Sequence, residues 1–426
     1  MRKHLSLFLF CTLFAAACPA QEAPPSYPAR DITLAEAFRL ALARSEDLAG
    51  KGEAVTFYKA RIDELQSNLR PRATFGVSQK WQDASSPSDD PSSSSPTSQR
   101  LAAVNVHHSL FNGLRDIIAV KAAHSQTAAA RLAYERARQL LYQDVASAYL
   151  NLLAIHDELD IRRTQIEITG KLISELSSRE KIGRSRPSEV LAAQAQLAQN
   201  QAALAVATGQ ERVFQWTFRF LTGLDRDARP AVLEPPSPAK INEYLIKAHS
   251  RADVEQARRV LEYAGLFTDY QKNQKLPTAD FDGNYYLTRP DGAARHVYWD
   301  TTFSVSLPLY LGGSADAQMA EAQSSRRSAE LALSLALRQA ELDVRSAQDN
   351  LLSSLYMTAA LAKALAAAQA NEKAQEADYR YGLVTNLDVL TAQTASQNTM
   401  LQLSNAKIAA QAAKIRLEVA AGGPGN

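Results

Sequence analysis

Few side chains in this sequence are of the kinds that make and break bonds. Both cysteines, Cys11 and Cys18, fall in the first twenty residues, so the rest of the chain carries no disulfide and no thiolate metal site. Of the seven histidines, His107 and His108 are adjacent in a segment with strand periodicity. Neighbours on a strand point to opposite faces, so this pair cannot chelate one ion. No GxGxxG, P-loop, HExxH or GxSxG pattern occurs. The residue types therefore predict no enzyme, no cofactor and no metal centre. Cys18 is the one candidate for covalent modification, by lipidation. It follows Ala15, Ala16 and Ala17, although a lipobox usually has leucine where Ala15 stands.

The elements around these residues begin with an export signal. Arg2, Lys3 and His4 form a positive region, and Leu5 to Ala17 is an uncharged apolar run too short to span a bilayer. Cleavage after Ala20 makes 1–20 a signal peptide. The net charge of +2 gives no basic stripe for nucleic acid. No later segment has the roughly 18 to 20 uncharged apolar residues of a membrane helix. An exported chain of that kind is periplasmic, secreted or a β-barrel.

The chain is duplicated. Asp144, Val145, Ser147, Ala148, Asn151, Leu152 and Leu153 recur as Asp343, Val344, Ser346, Ala347, Asn350, Leu351 and Leu352, an offset of 343 − 144 = 199. Nearer the start of each half the offset is 206, which relates Asp47-Leu48 to Asp253-Val254 and Pro71 to Pro277. The difference falls in an interval that includes the Ser/Pro tract Ser85–Ser98, a loop by composition. The halves are 31–229 and 238–426, joined by the proline-rich stretch Pro230–Pro238.

Each half reads as helix, strand pair, long helix and return helix. Leu34, Phe38, Leu42, Ile62, Leu65 and Leu69 recur at helical spacing behind a Thr33/Glu36 capping pattern, predicting one helix that ends at Pro71. The period then becomes two. Phe281, Gly283, Tyr285 and Leu287 alternate with polar neighbours, and Trp299, Thr301, Phe303, Val305 and Leu307 do so on the return. Phe75, Val77 and Trp81 with Ala102, Val104, Val106 and Leu110 form a weaker copy. About 9 to 11 residues is the length of a tilted membrane strand, with an apolar face for lipid and a polar face for a lumen. Leu114–Lys181 holds one glycine and no proline, so it reads as a helix of roughly 100 Å. The return helix starts at Pro187 in one half and near Asn386 in the other. The fold class is mainly α with a β-barrel portion. Each long helix should be covered by two shorter helices stacked end to end.

At this point the sequence resembles the outer membrane efflux (TolC-like) protein family. The resemblance rests on the repeated element order and on the corner Leu307-Pro308-Leu309-Tyr310-Leu311-Gly312-Gly313, echoed by Leu110-Phe111-Asn112-Gly113. It rests also on the tip Tyr379-Arg380-Tyr381-Gly382-Leu383-Val384-Thr385-Asn386-Leu387-Asp388-Val389-Leu390. It implies a homotrimer in the outer membrane, a twelve-stranded barrel continuous with a periplasmic helical tunnel. It implies a passive export duct that works with a membrane fusion (adaptor) protein and an inner-membrane pump. Gly183, Gly382 and Leu383 would belong to the adaptor-docking tips. Asp388, with Glu189 as its first-half equivalent, would line the pore, and Tyr379 would lock the closed entrance. Val384 and Thr391 stand where the family has a locking arginine and a second aspartate. Arg184 or Arg186 is the expected substitute for that arginine. The alternative is a non-conducting trimeric coiled-coil adhesin, which would need strict heptads and no duplicated strand pair.

Overall fold

A computed structural model describes residues 29–82, 98–238, 240–290 and 295–423. The signal segment 1–20, with Cys11 and Cys18, lies outside them, as does the Ser/Pro tract up to residue 97.

The first half contains β1 (Arg30–Ile32), α1 (Leu34–Arg44), α2 (Glu46–Ser67), β2 (Arg72–Trp81), β3 (Ser98–Asn112), α3 (Arg115–Lys181), α4 (Pro187–Thr222) and β4 (Ala228–Pro230). The second contains α5 (Ile241–Ala248), α6 (Ala252–Lys272), β5 (Thr278–Thr288), β6 (Trp299–Ser306), α7 (Ser314–Tyr381) and α8 (Asn386–Ala420). The expected single helix after Thr33 is two. Ser45 leaves helical geometry (ψ 109°) and its hydroxyl caps α2 by accepting from the Leu48 N–H at 3.2 Å. Thr33 accepts from the Glu36 N–H, but the Glu36 carboxylate turns to Arg30, so only half of the capping box forms.

The α3 helix has 67 residues and α7 has 68, about 100 Å each, while α4 and α8 have 36 and 35, about 54 Å. As the length mismatch requires, α2 covers α3 beside the sheet and α4 covers it beside the tip. α6 and α8 divide α7 in the same way. Across the sheet-side half the neighbours run α2, α3, α6, α7, and across the tip-side half they run α4, α3, α8, α7. The sheet runs β2, β3, β5, β6, all antiparallel. All three tiers are thus open sectors with the same two raw edges: β2, α2 and α4 on one side, β6 and α7 on the other.

A collar surrounds the middle. β1 and β4 pair in parallel, a contact between short segments with no periodic signal. The Tyr149 hydroxyl, fully buried at mid-length of α3, lies 2.8 Å from the Ala231 carbonyl oxygen and 3.0 Å from that of Ile32. Ile32, Ala37, Ala41, Leu152, Phe218 and Ile415 close the largest core cluster around it. One stretch of α7 is long and apolar enough to cross a membrane by length and composition, and little of it is buried in the single chain. It lies within the 68-residue helix on a raw edge, where an exposed apolar face needs a protein neighbour.

Candidate lumen and periplasmic entrance

The sheet separates two chemistries by its pleat. On one face Phe75, Val104, Tyr285 and Trp299 stand in register, followed by Phe281 opposite Phe303. Most of this face is bare: Phe75 is 66% exposed, Trp299 65% and Phe303 63%, while Val104 and Phe281 are half-buried. On the other face Thr74, Asn105, Asn284 and Asp300 form one cross-strand row. Asn105 Nδ2 donates to Asn284 Oδ1 at 3.0 Å, and Asn284 Nδ2 donates to Asp300 Oδ1 at 2.9 Å. His107 Nδ1 lies 2.8 Å from Asp282 Oδ1 on that face, while His108 belongs to the other, so the two imidazoles do not converge. An apolar face left bare beside a hydrogen-bonded polar face suits a wall between lipid and water. At the end of the sheet the chain turns into helix through left-handed residues: Leu114 at φ 63°, Gly312 at 61° and Gly313 at 81°.

At the far end, each helical hairpin reverses at a glycine. Gly183 (φ 73°) and Gly382 (φ 75°) adopt the left-handed conformation that a Cβ disfavours. The reversals are closed by Arg184 N–H to Arg179 O at 2.8 Å and Leu383 N–H to Asp378 O at 2.9 Å. Leu383 is exposed at the tip, as are Ile182, Leu191, Tyr381 and Leu387. Sequence reading quoted Tyr381 and Leu387 only as part of the tip motif and missed Ile182 and Leu191. The signal was that Ile182 and Tyr381 are large side chains immediately before each glycine, where plain helix termination needs none.

Asp388 and Glu189 each take the third position of a return helix. Asp388 Oδ2 accepts from the Thr385 hydroxyl at 2.6 Å and from the Thr385 N–H at 2.8 Å, completing a capping box. Those two bonds, the hydroxyl's first, hold its carboxyl below the ordinary aspartate range. Glu189 Oε2 accepts from the Ser185 hydroxyl at 2.6 Å. Tyr379 packs against Leu172, Ile173, Leu176, Val190, Ala193 and Leu390, a cluster drawn from both hairpins, so the two tips stand level. The arginine on Tyr379 is Arg179, not the expected Arg184 or Arg186. Its guanidinium carbon lies 5.0 Å from the ring centroid. Arg179 is one turn inside α3 on the packed side, whereas Arg184 and Arg186 lie in the exposed turn. Burial raises the Tyr379 hydroxyl's pKa, and the Arg179 charge opposes that shift.

Compared with known proteins, the chain matches the outer membrane efflux protein family over residues 37–224 and 248–423. It belongs to this family. It is 26% identical over 369 residues to the outer membrane protein TolC of Escherichia coli, covering 82% of this chain and 73% of that one. The same fold occurs in the solved structure of CusC, at TM-score 0.81, 18% identity and 92% coverage of both chains. It occurs also in VceC of Vibrio cholerae, at TM-score 0.79 and 19% identity, with 92% of this chain and 97% of that one covered. This efflux protein is accordingly an outer-membrane channel with its helical tunnel in the periplasm, and not an enzyme. Family membership does not favour the adhesin alternative.

Proposed function

We propose that three copies of this channel close head to tail into one export duct, serving an inner-membrane pump through a periplasmic adaptor protein. The observation that carries this reading is the shared linear order of the sheet and both helical tiers, which leaves the same two edges raw along the whole molecule. A four-stranded sheet cannot stand in lipid with open edges, because their backbone groups would have no partner. Two copies would give eight strands, an interior that side chains nearly fill, whereas three give twelve and a water-filled lumen. The helical edges complement one another too. α4 exposes Val206, Val213 and Phe220 at seven-residue spacing, and α7 exposes Tyr356 within the reach of that stripe and Leu342 and Leu335 beyond its end, towards the collar. Counted from the level tips, Val213 and Tyr356 stand at nearly the same height.

In this reading the repeats 31–229 and 238–426 are quasi-equivalent staves, and Gly183 and Gly382 turn the tips. Leu383, with its exposed apolar neighbours, is the adaptor contact. Asp388 and Glu189, repeated threefold, form carboxylate rings that favour cations at the entrance. Tyr379 with Arg179 holds the two hairpins together when the entrance is closed.

Single-channel conductance in planar bilayers tests the duct. Purified trimers should conduct with cation preference, and Asp388→Lys should weaken or invert it. Folded trimers that never conduct, with or without that reversal, would refute the reading.

A further inference from the structure

The two halves differ at one point of the collar where chemistry matters. In the second half, Arg251 precedes α6 and is only 2% exposed. Its guanidinium donates to Asp253 twice, at 2.7 and 2.8 Å, to Asp343 at 2.9 Å and to the Ala420 carbonyl at 3.1 Å. α3 supports this node from the side. Arg136 donates to the Val419 carbonyl at 3.2 Å, and Gln139 donates to the Gly422 carbonyl at 2.8 Å. Two arginines and two aspartates thus lock the end of α8 between α3, α6 and α7.

The repeat offsets locate the matching positions of the first half. Asp253 corresponds to Asp47, Asp343 to Asp144 and Gly422 to Gly223. Arg251 corresponds to Ser45; both stand at the N-terminal boundary of the following helix, but only Ser45 caps it with its side chain. The carboxylates are retained, and Ser45 stands where the buried arginine was; the adjacent Arg44 lies against Gly223 as Arg251 lies against Gly422, but largely in solvent. A cavity of about 740 Å³ opens there, lined by Asp47, Asp144 and Phe220 and by three cations, Arg44, Lys51 and Arg136, the last of them turned to the Val419 carbonyl. Arg44 reaches only Glu46, at 3.8 Å, with both side chains largely in solvent. Among the described residues neither Asp47 nor Asp144 has an ion-pair partner. Burial raises the pKa of the Asp144 carboxyl, with no cation offsetting that shift.

Gln256 of the same chain's α6 walls one side of this cavity; on the α2 and α4 side, the raw edge, a closed ring brings up α7 of the adjacent copy. Arg136 and Gln139 of α3 correspond to Leu335 and Arg338 of α7. Arg338 is exposed and without an ion-pair partner among the described residues. It lies within the apolar face made by Leu331, Leu335 and Leu342, the middle one 58% exposed. A lone guanidinium on an apolar face is costly to bury unless the facing surface supplies carboxylates.

We infer that Arg338 of each copy inserts into the Asp47–Asp144 cavity of its neighbour, beside Gly223, as an intersubunit latch at the collar. With Arg44 it restores the second half's set of two arginines and two aspartates, one arginine now arriving in trans. This rests on the head-to-tail ring proposed above and adds to it a residue that completes the neighbour's site.

Reciprocal charge exchange and crosslinking test the latch. Arg338→Asp should make detergent-solubilised trimers dissociate at least roughly 30-fold faster, as expected when one partner of a buried interfacial pair is removed. Adding Asp144→Arg should restore much of the lifetime. Ser45→Cys with Arg338→Cys should yield covalent oligomers under mild oxidation, and neither single variant should. Stable trimers with no crosslink and no response to Arg338→Asp would overturn the latch and leave the ring intact. A parent protein that is monomeric in detergent and in membranes would overturn both.

Discussion

Replacing Arg251 by methionine isolates what the collar node contributes. Methionine keeps the stem that crosses Gly422, whose Cβ position lies 3.5 Å from Arg251 Cγ, and removes only the charge and its donors. Four hydrogen bonds disappear, and two half-buried carboxylates are left facing each other beside the Ala420 carbonyl. Removing one partner of a buried ion pair costs about 3 to 5 kcal/mol, because the remaining charge stays desolvated. At about 2.1 cal/mol/K per residue, a chain of some 400 residues unfolds with about 0.8 kcal/mol/K, so the melting temperature should fall by about 4 to 6 °C. Circular dichroism in detergent reads this directly. The triple variant Arg251→Met, Asp253→Asn, Asp343→Asn should recover most of the loss, because the uncompensated charge is then gone. The pH dependence has a definite sign. Burial pushes the Asp253 carboxyl up, but the Arg251 hydrogen bonds and charge outweigh that and hold it below its ordinary value. Its stabilising effect is therefore complete above the unfolded aspartate pKa of about 3.9 and is lost as pH falls through the lower folded value. A single variant as stable as the parent, or a triple variant no better than the single one, would refute the reasoning.

Further outcomes follow from other sites. Tyr149→Phe removes the buried hydroxyl from the Ala231 and Ile32 carbonyls, so thermal unfolding should show a loss of about 1 to 3 kcal/mol. Asp388→Asn weakens the cap of α8, and hydrogen exchange of the first turn after Thr385 should quicken while the collar stays unchanged. In the parent that protection should persist as pH falls to about 4 and fail only below the ordinary aspartate range, since the folded carboxyl is held low. Val213→Glu puts a charge into the α4 stripe and should block trimer formation, read by size-exclusion chromatography with light scattering.

Much of this architecture is legible in the sequence because it is built from long periodic segments. The 199-residue offset, the change of period at Pro71 and Pro277 and the absence of helix breakers across α3 and α7 reflect local physics that tertiary contacts reinforce. The collar was not legible. β1 and β4 are three residues each and pair across nearly two hundred positions, which no local pattern encodes. The break at Ser45 was hidden because its capping serine lies between two segments of the same helical phase. At the tips the glycines and the acid at the third helical position were readable as backbone chemistry. The partner of Tyr379 was not, because Arg179 reaches it from the other half of the chain.

The unlike edges of each sector also bear on genetics. When every subunit offers one kind of edge and receives another, a variant damaged on α7 alone still presents a sound α4 edge and still enters rings. It opens one seam there, and one seam is enough to leak. With equal amounts of sound and damaged subunits drawn at random in threes, only about one ring in eight is free of the variant. Edge substitutions in this protein should therefore be dominant, whereas substitutions that prevent the chain from folding should be recessive.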